Sequence, residues 1–172
     1  TRMMTTKPDI VELDTIAPGT AGLIIRQARE LGFKGLFVKI GGPGVPGIVA
    51  AAGKEFAEGT IVYVAADTST KKYKWMEAEY AKIYNPPMNS FTEFFYDAAT
   101  MLFTAMQKAG TVSNVDAVRD ALLTLTPFTG VQGTVVWGGM ETYGNNNQLI
   151  GPVFIGTIAG GQEKIIGGVE VK

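Results

Sequence analysis

The sequence predicts an α/β protein organised around a parallel sheet. Two observations carry that reading. Over residues 9–65, short apolar runs alternate with segments of helical spacing in the order strand, helix, strand, helix, strand, and strands joined through helices lie parallel in a sheet with both faces covered. Beyond residue 134 the chain changes to short apolar runs parted by Gly/Asn turns, the pattern of hairpins.

Taken in order, residues 9–13 form a first strand, which Ala17-Pro18-Gly19 breaks. Thr20 is the expected N-cap of a helix carrying Ala21, Ile24, Ala28 and Leu31 at helical spacing, and Gly32 ends it. Residues 35–40 are a second, almost wholly apolar strand, followed by a Gly/Pro loop at 41–47 and a short helix near 48–52. A third strand covers 60–65. After the polar stretch Asp67-Thr68-Ser69-Thr70, Tyr73, Met76, Tyr80 and Ile83 with Trp75 give a bulky helical face that Pro86-Pro87 terminates. Ser90-Phe91-Thr92-Glu93 reads as a capping box opening a long helix that ends at Ala109-Gly110. A helix over 115–125 presents Val115, Val118, Leu122 and Leu125 on one face. Strands are expected at 134–137, 149–158 and 164–171, with Trp137 packed under the closing hairpin.

Composition removes several function classes. The 172 residues are 46% hydrophobic and 18% charged, enough apolar material for a sizeable core. Fifteen Lys and Arg against 16 Asp and Glu leave a net charge of -1, without the basic footprint of a nucleic-acid binder. With no Cys and no His, the chain has no disulfides, no thiolate metal site and no histidine base. Lys71-Lys72 follows Ser69 too closely for a persuasive Ser-Lys dyad, and no carboxylate pair is forced beside a nucleophile. The expectation is a protein that is not an enzyme and holds no cofactor or metal. No apolar run approaches the roughly 18 residues that span a bilayer, and Thr1-Arg2-Met3-Met4 does not form an export signal.

In a parallel sheet the ligand-facing rim is the carboxyl end of the strands. The loops at 14–19 and 41–47 are therefore the leading site candidates. Gly41-Gly42-Pro43-Gly44-Val45-Pro46-Gly47 lacks the Lys-Ser/Thr of a phosphate loop and the spacing of a dinucleotide fingerprint, and its prolines remove donors. A tight turn between sheet and helix is its plain alternative, as a solvated turn is for Asp14-Thr15-Ile16-Ala17. In the ligand reading Thr15 donates a hydrogen bond and Ile16 forms an apolar wall, with Ala17, Gly42 and Pro43 as further ligand-binding residues.

Five short motifs occur in one order: Lys7-Pro8-Asp9-Ile10-Val11, Arg26-Gln27-Ala28-Arg29-Glu30-Leu31-Gly32, Ala57-Glu58-Gly59, Tyr96-Asp97-Ala98 and Gly130-Val131-Gln132-Gly133. Together they resemble the type I periplasmic binding proteins of the branched-chain amino acid receptor family, the solute-binding components of ABC importers. The resemblance implies two Rossmann-like lobes joined by a hinge, present here as the carboxyl-terminal portion only. On that pattern 1–66 belongs to the carboxyl-terminal lobe, 67–72 is a hinge crossing, 73–127 a return segment of the amino-terminal lobe, and 128–172 the last crossing with its closing strands. The implied partners are a small solute, ABC permease subunits and the amino-terminal half of the same protein, with no nucleic acid; the implied location is periplasmic or extracellular. Phe91 becomes a ligand contact near the hinge, while Glu93 remains a capping residue before a ligand partner. The family's second cleft loop commonly offers a carboxylate to the ligand ammonium, whereas residues 41–53 contain no Asp or Glu, which turns the expected solute toward an organic or aromatic acid and keeps a branched-chain amino acid as the alternative. A sensory domain of the same fold, and a small nucleotide-binding enzyme, are the competing readings.

Overall fold

The computed structural model describes residues 2–88 and 91–169. The expected cap Ser90 and the end of the last predicted strand, 170–171, lie outside them. The chain divides into two compact units, Thr1–Ala65 with Val153–Gly168, and Ala66–Pro152 with Val169–Lys172.

The first unit opens with a 3-10 turn, Arg2–Thr6, then β1 (Ile10–Glu12), α1 (Pro18–Glu30), β2 (Leu36–Lys39), α2 (Val45–Ala52), α3 (Lys54–Ala57) and β3 (Ile61–Val64). β1 pairs with β2 and β2 with β3, all parallel, with Val11 opposite Phe37 and Lys39 opposite Val62. Helix α1 does not start behind Thr20. Pro18 occupies its first turn and Ala17 is the N-cap without a side-chain bond, because proline has no N–H to satisfy there and its φ is already helical. At the other end Gly32 takes φ +87°, which lets its N–H reach Arg29 O (2.9 Å) while Phe33 N–H reaches Ala28 O (2.9 Å), a Schellman closure. Likewise α2 begins at Val45, three residues before the expected helix, with Pro46 in its first turn. The connecting loop therefore shrinks to 40–44.

Among the two helices a close approach sets the packing. A Cβ on Gly22 of α1 would lie 2.5 Å from Ile48 O and 2.8 Å from Ala51 Cβ of α2, so only glycine permits this helix contact. Ile25, Ala28, Ile48, Ala52, Phe37, Val62 and Val64 close one core against the sheet.

The second unit holds α4 (Lys71–Ala81), α5 (Thr92–Ala109), α6 (Val115–Leu123), β4 (Phe128–Thr129), β5 (Thr134–Gly138), α7 (Met140–Tyr143) and β6 (Gln148–Ile150). Strands β4, β5 and β6 form an antiparallel sheet. Thr70 caps α4 by accepting from Tyr73 N–H (3.2 Å), and Asn114 caps α6 by accepting from Ala117 N–H (3.1 Å). Met76, Met88 and Val131 form a small core with Tyr73 and Tyr80 against it. Trp75 is not part of that face: it is half exposed and meets Tyr96 edge-on at 5.9 Å. On α6 Val118 is buried but Val115, the first residue of the helix, is exposed. Trp137 packs by its indole N–H on Leu122 O (3.1 Å) at the end of α6.

The predicted strand at 149–158 is two strands. Gly151-Pro152 interrupts it, because Pro152 cannot donate to a ladder. β6 stays in the second unit, while β7 (Val153–Ala159) returns to the first and runs antiparallel to β3, with Tyr63 opposite Ile155. After the Gly160-Gly161 turn, β8 (Gln162–Val169) completes the order β1-β2-β3-β7-β8.

The expectation of a sheet covered on both faces is corrected for this unit. Consecutive right-handed crossovers advancing from β1 to β3 place their helices on one side. Phe37, Val62, Val64 and Ile158 face that side; the alternate residues Ile10, Leu36 and Val153 remain exposed on the other.

Candidate functional site

The carboxyl ends of β1 and β2 bring two loops together. Leu13 N–H donates to Val38 O (2.8 Å), extending the β1–β2 pairing to the rim. One residue later the Asp14 carboxylate accepts from Gly41 N–H (2.7 Å), tying the 14–17 loop to the 40–44 loop. Asp14 N–H itself donates to the Glu12 carboxylate. A Cβ on Gly44 would lie 2.5 Å from Pro18 Cγ, so the start of α2 lies against the start of α1.

Thr15 sits at this junction with φ +63°. A β-branched residue in the left-handed region carries strain of order 1–3 kcal/mol, and such strain collects at ligand loops. Thr15 and Ala17 are exposed, whereas Ile16 is partly buried and packs on the core of the unit. Gly42 and Pro43 stand on the facing loop. Thus five of the six predicted site residues gather at one rim: Thr15, Ile16, Ala17, Gly42 and Pro43.

Phe91 belongs to the second unit, as the residue before α5. It is 47% exposed, with its ring 6.2 Å from that of Phe94. Glu93 behaves otherwise than a capping residue. It is 5% exposed, its Oε2 has no hydrogen-bond partner among the described residues, and Phe91 rather than Ser90 holds the N-cap position. Burial pushes the Glu93 carboxyl above its ordinary range; the Asp97 charge adds to this, against the opposing hydrogen bonds of its own backbone and of Tyr73.

Asp97, one turn further along α5, is structural. Its carboxylate accepts from Val131 N–H (2.8 Å), Gln132 N–H (2.9 Å) and Gln132 Nε2 (3.3 Å), and a Cβ on Gly130 would lie 2.2 Å from its Oδ2. The Tyr96-Asp97-Ala98 and Gly130-Val131-Gln132-Gly133 motifs are two sides of one contact, a helix carboxylate folded into a hairpin turn.

One rim residue escapes the motif-based reading. Lys39, the last residue of β2, is 4% exposed, on the same face as Phe37. Its signal in the sequence is an ammonium at an inward position of an apolar strand, Phe37 and Lys39 sharing parity. Among the described residues no group of three or more carboxylates or other metal-type ligands occurs, and no helix is long and apolar enough to cross a membrane.

A family profile described as periplasmic binding protein matches residues 1–163. No curated protein matches the chain. Among solved structures, a leucine binding protein from Thermotoga maritima superposes with a TM-score of 0.79 at 21% identity, covering 98% of this chain and 47% of that one. The branched-chain amino acid transporter substrate binding protein from Streptococcus pneumoniae, in complex with isoleucine, gives 0.77 at 22%, covering 99% and 47%. An ABC transporter solute binding protein from R. palustris, in complex with benzoate, gives 0.77 at 17%, covering 97% and 44%. The chain thus spans about half the length of these structures.

Proposed function

The chain belongs to the periplasmic binding protein family, and from that membership we propose that it contributes to the solute-binding component of an ABC importer, taking a small organic acid or an amino acid outside the cytoplasmic membrane. Its partners on this reading are the solute, the permease subunits and the remaining part of the receptor. The mechanism is a population shift: solute contacts available only in the closed form move the receptor toward it. Binding is then the whole activity, and no bond is made or broken.

The observation that carries the reading is the rim where Asp14 joins the two loops, with a strained Thr15 between them. Its chemistry favours an acid. Residues 41–53 offer no carboxylate, and a buried ammonium without a charge partner costs several kcal/mol. Among relatives of this fold one is a benzoate complex, which supports the same direction. An α-amino acid is the second reading, favoured by the Asp14 carboxylate at the junction and by the isoleucine-bound relative.

Thr15→Ala and Phe91→Ala test the assignment by calorimetry with benzoate and leucine. Each variant should weaken solute binding by about 1 kcal/mol, the usual worth of a lost contact, with unfolding midpoints unchanged. Unaltered affinity in both would show that these positions do not contact the solute.

A further inference from the structure

We propose that Glu93 is a proton-operated latch: neutral, its carboxyl holds the start of α4 and the turn at 130–133 against α5, and ionised it lets them go. The latch lies wholly within the second unit and is independent of the solute proposed above.

Three elements meet at Glu93. It stands in the first turn of α5, buried, with Asp97 one turn further on and equally buried, so the two carboxyls share one inward face of the helix. From α4 the Tyr73 hydroxyl donates to the Glu93 carboxyl, while the Tyr73 ring packs against the core of Met76, Met88 and Val131. From the turn, Val131 N–H and Gln132 N–H donate to Asp97. One buried cluster therefore joins α4, α5 and the hairpin turn.

The cluster has no counter-charge. Both Asp97 oxygens accept hydrogen bonds, whereas Glu93 Oε2 is buried without a partner among the described residues. No lysine or arginine among them forms an ion pair with either carboxyl. Lys71, Lys72, Lys74 and Glu77 of α4 are exposed, and Lys72 turns its ammonium to Thr129 O and the Phe128 ring. The turn at 130–133 carries no titratable side chain. An ionised Glu93 meets both desolvation and repulsion from Asp97, in keeping with its raised pKa. Because the cluster covers the carboxyl, hydrating the charge opens the cluster, and pH rising through the raised value is the trigger. The plain alternative is a glutamate that ionises in place, its charge met by one water admitted beside Oε2.

The two are separated by NMR on the 172-residue chain labelled with 15N and 13C, titrated from pH 5 to 9. The Glu93 carboxyl carbon should titrate above the ordinary glutamate range. With the same midpoint the Val131 and Gln132 amides should lose tenfold or more of their hydrogen-exchange protection, corrected for the intrinsic pH dependence of exchange, while Ile48 in the first unit keeps its protection. Glu93→Gln should abolish that loss. A carboxyl that titrates while the two amides stay protected shows ionisation in place and overturns the latch. So does a carboxyl that does not titrate, or a loss of protection that persists in Glu93→Gln or extends to Ile48. If Glu93→Gln does not fold, the wild-type midpoints decide: coincidence of carboxyl and amide transitions supports the latch, and separate midpoints overturn it.

Discussion

Glu93 shows how one residue can work against the fold that holds it. Its carboxyl is buried, with Oε2 unpartnered among the described residues, and its pKa is raised by desolvation, to which the Asp97 charge adds. A raised pKa means that the folded state holds the proton more tightly than the unfolded chain, so stability is greatest below the ordinary glutamate range and falls as pH rises through the raised value. Glu93→Gln should remove that decline. In urea titrations across pH 4 to 8, the variant should match the wild type at the acid end and exceed it by about 1 kcal/mol at the neutral end. Parallel pH profiles would contradict the assignment. Asp97 is the contrasting case, since three donors converge on it from the hairpin turn. The sequence showed Tyr96-Asp97-Ala98 and Gly130-Val131-Gln132-Gly133 only as separate motifs, because a contact across 34 residues leaves no local pattern. Lys39 was legible in principle: an inward-facing ammonium breaks the strand's apolar parity.

Helix α1 and helix α2 illustrate what local patterning can and cannot locate. Periodicity identified α1, with Gly32 a sound stop signal, while α2 was placed only as a short helix after the Gly/Pro loop. Both starts were put too late, α1 behind an expected Thr20 cap and α2 behind the loop, where prolines in the first turn do the work. The predicted strand at 149–158 failed for a related reason: the apolar run is continuous, but Pro152 breaks the ladder and the two pieces join different sheets. Gly22 carries no such signal, and its importance is visible only where α1 meets Ile48 O. Gly22→Ala must push the two helices apart against backbone, with little slack. The expected loss is about 1–3 kcal/mol, the usual range for overpacking, measured as a lower urea midpoint with an unchanged slope; an equal midpoint would show that the helices are not held this closely. Because the same helices carry Pro18 and Gly44, the loop contact at the rim should loosen with them.

Among the described residues, two apolar surfaces stand open. The sheet of the first unit leaves Ile10 and Leu36 exposed on the face opposite its helices, and α5 of the second unit points Phe95 (74% exposed) and Phe103 (64%) away from its buried Asp97 and Met101. Contiguous apolar patches beyond a few hundred Å2 usually mark an association surface. The 172-residue chain should therefore bind a hydrophobic dye or self-associate on a sizing column, and a dye-silent monomer would contradict this. The fold class, the parallel order of the first three strands and the rim were read from the sequence alone; the open faces were not, since strand alternation does not say which side the helices will take. The central claim is the proposal that the solute is an acid without an ammonium group, because the 40–44 loop offers no carboxylate to pair one. Its most direct test is a thermal-shift screen of the receptor with benzoate and other small organic acids against leucine, isoleucine and valine. The account predicts that the acids raise the melting temperature more than the amino acids do; tight, selective stabilisation by leucine, isoleucine or valine would contradict it.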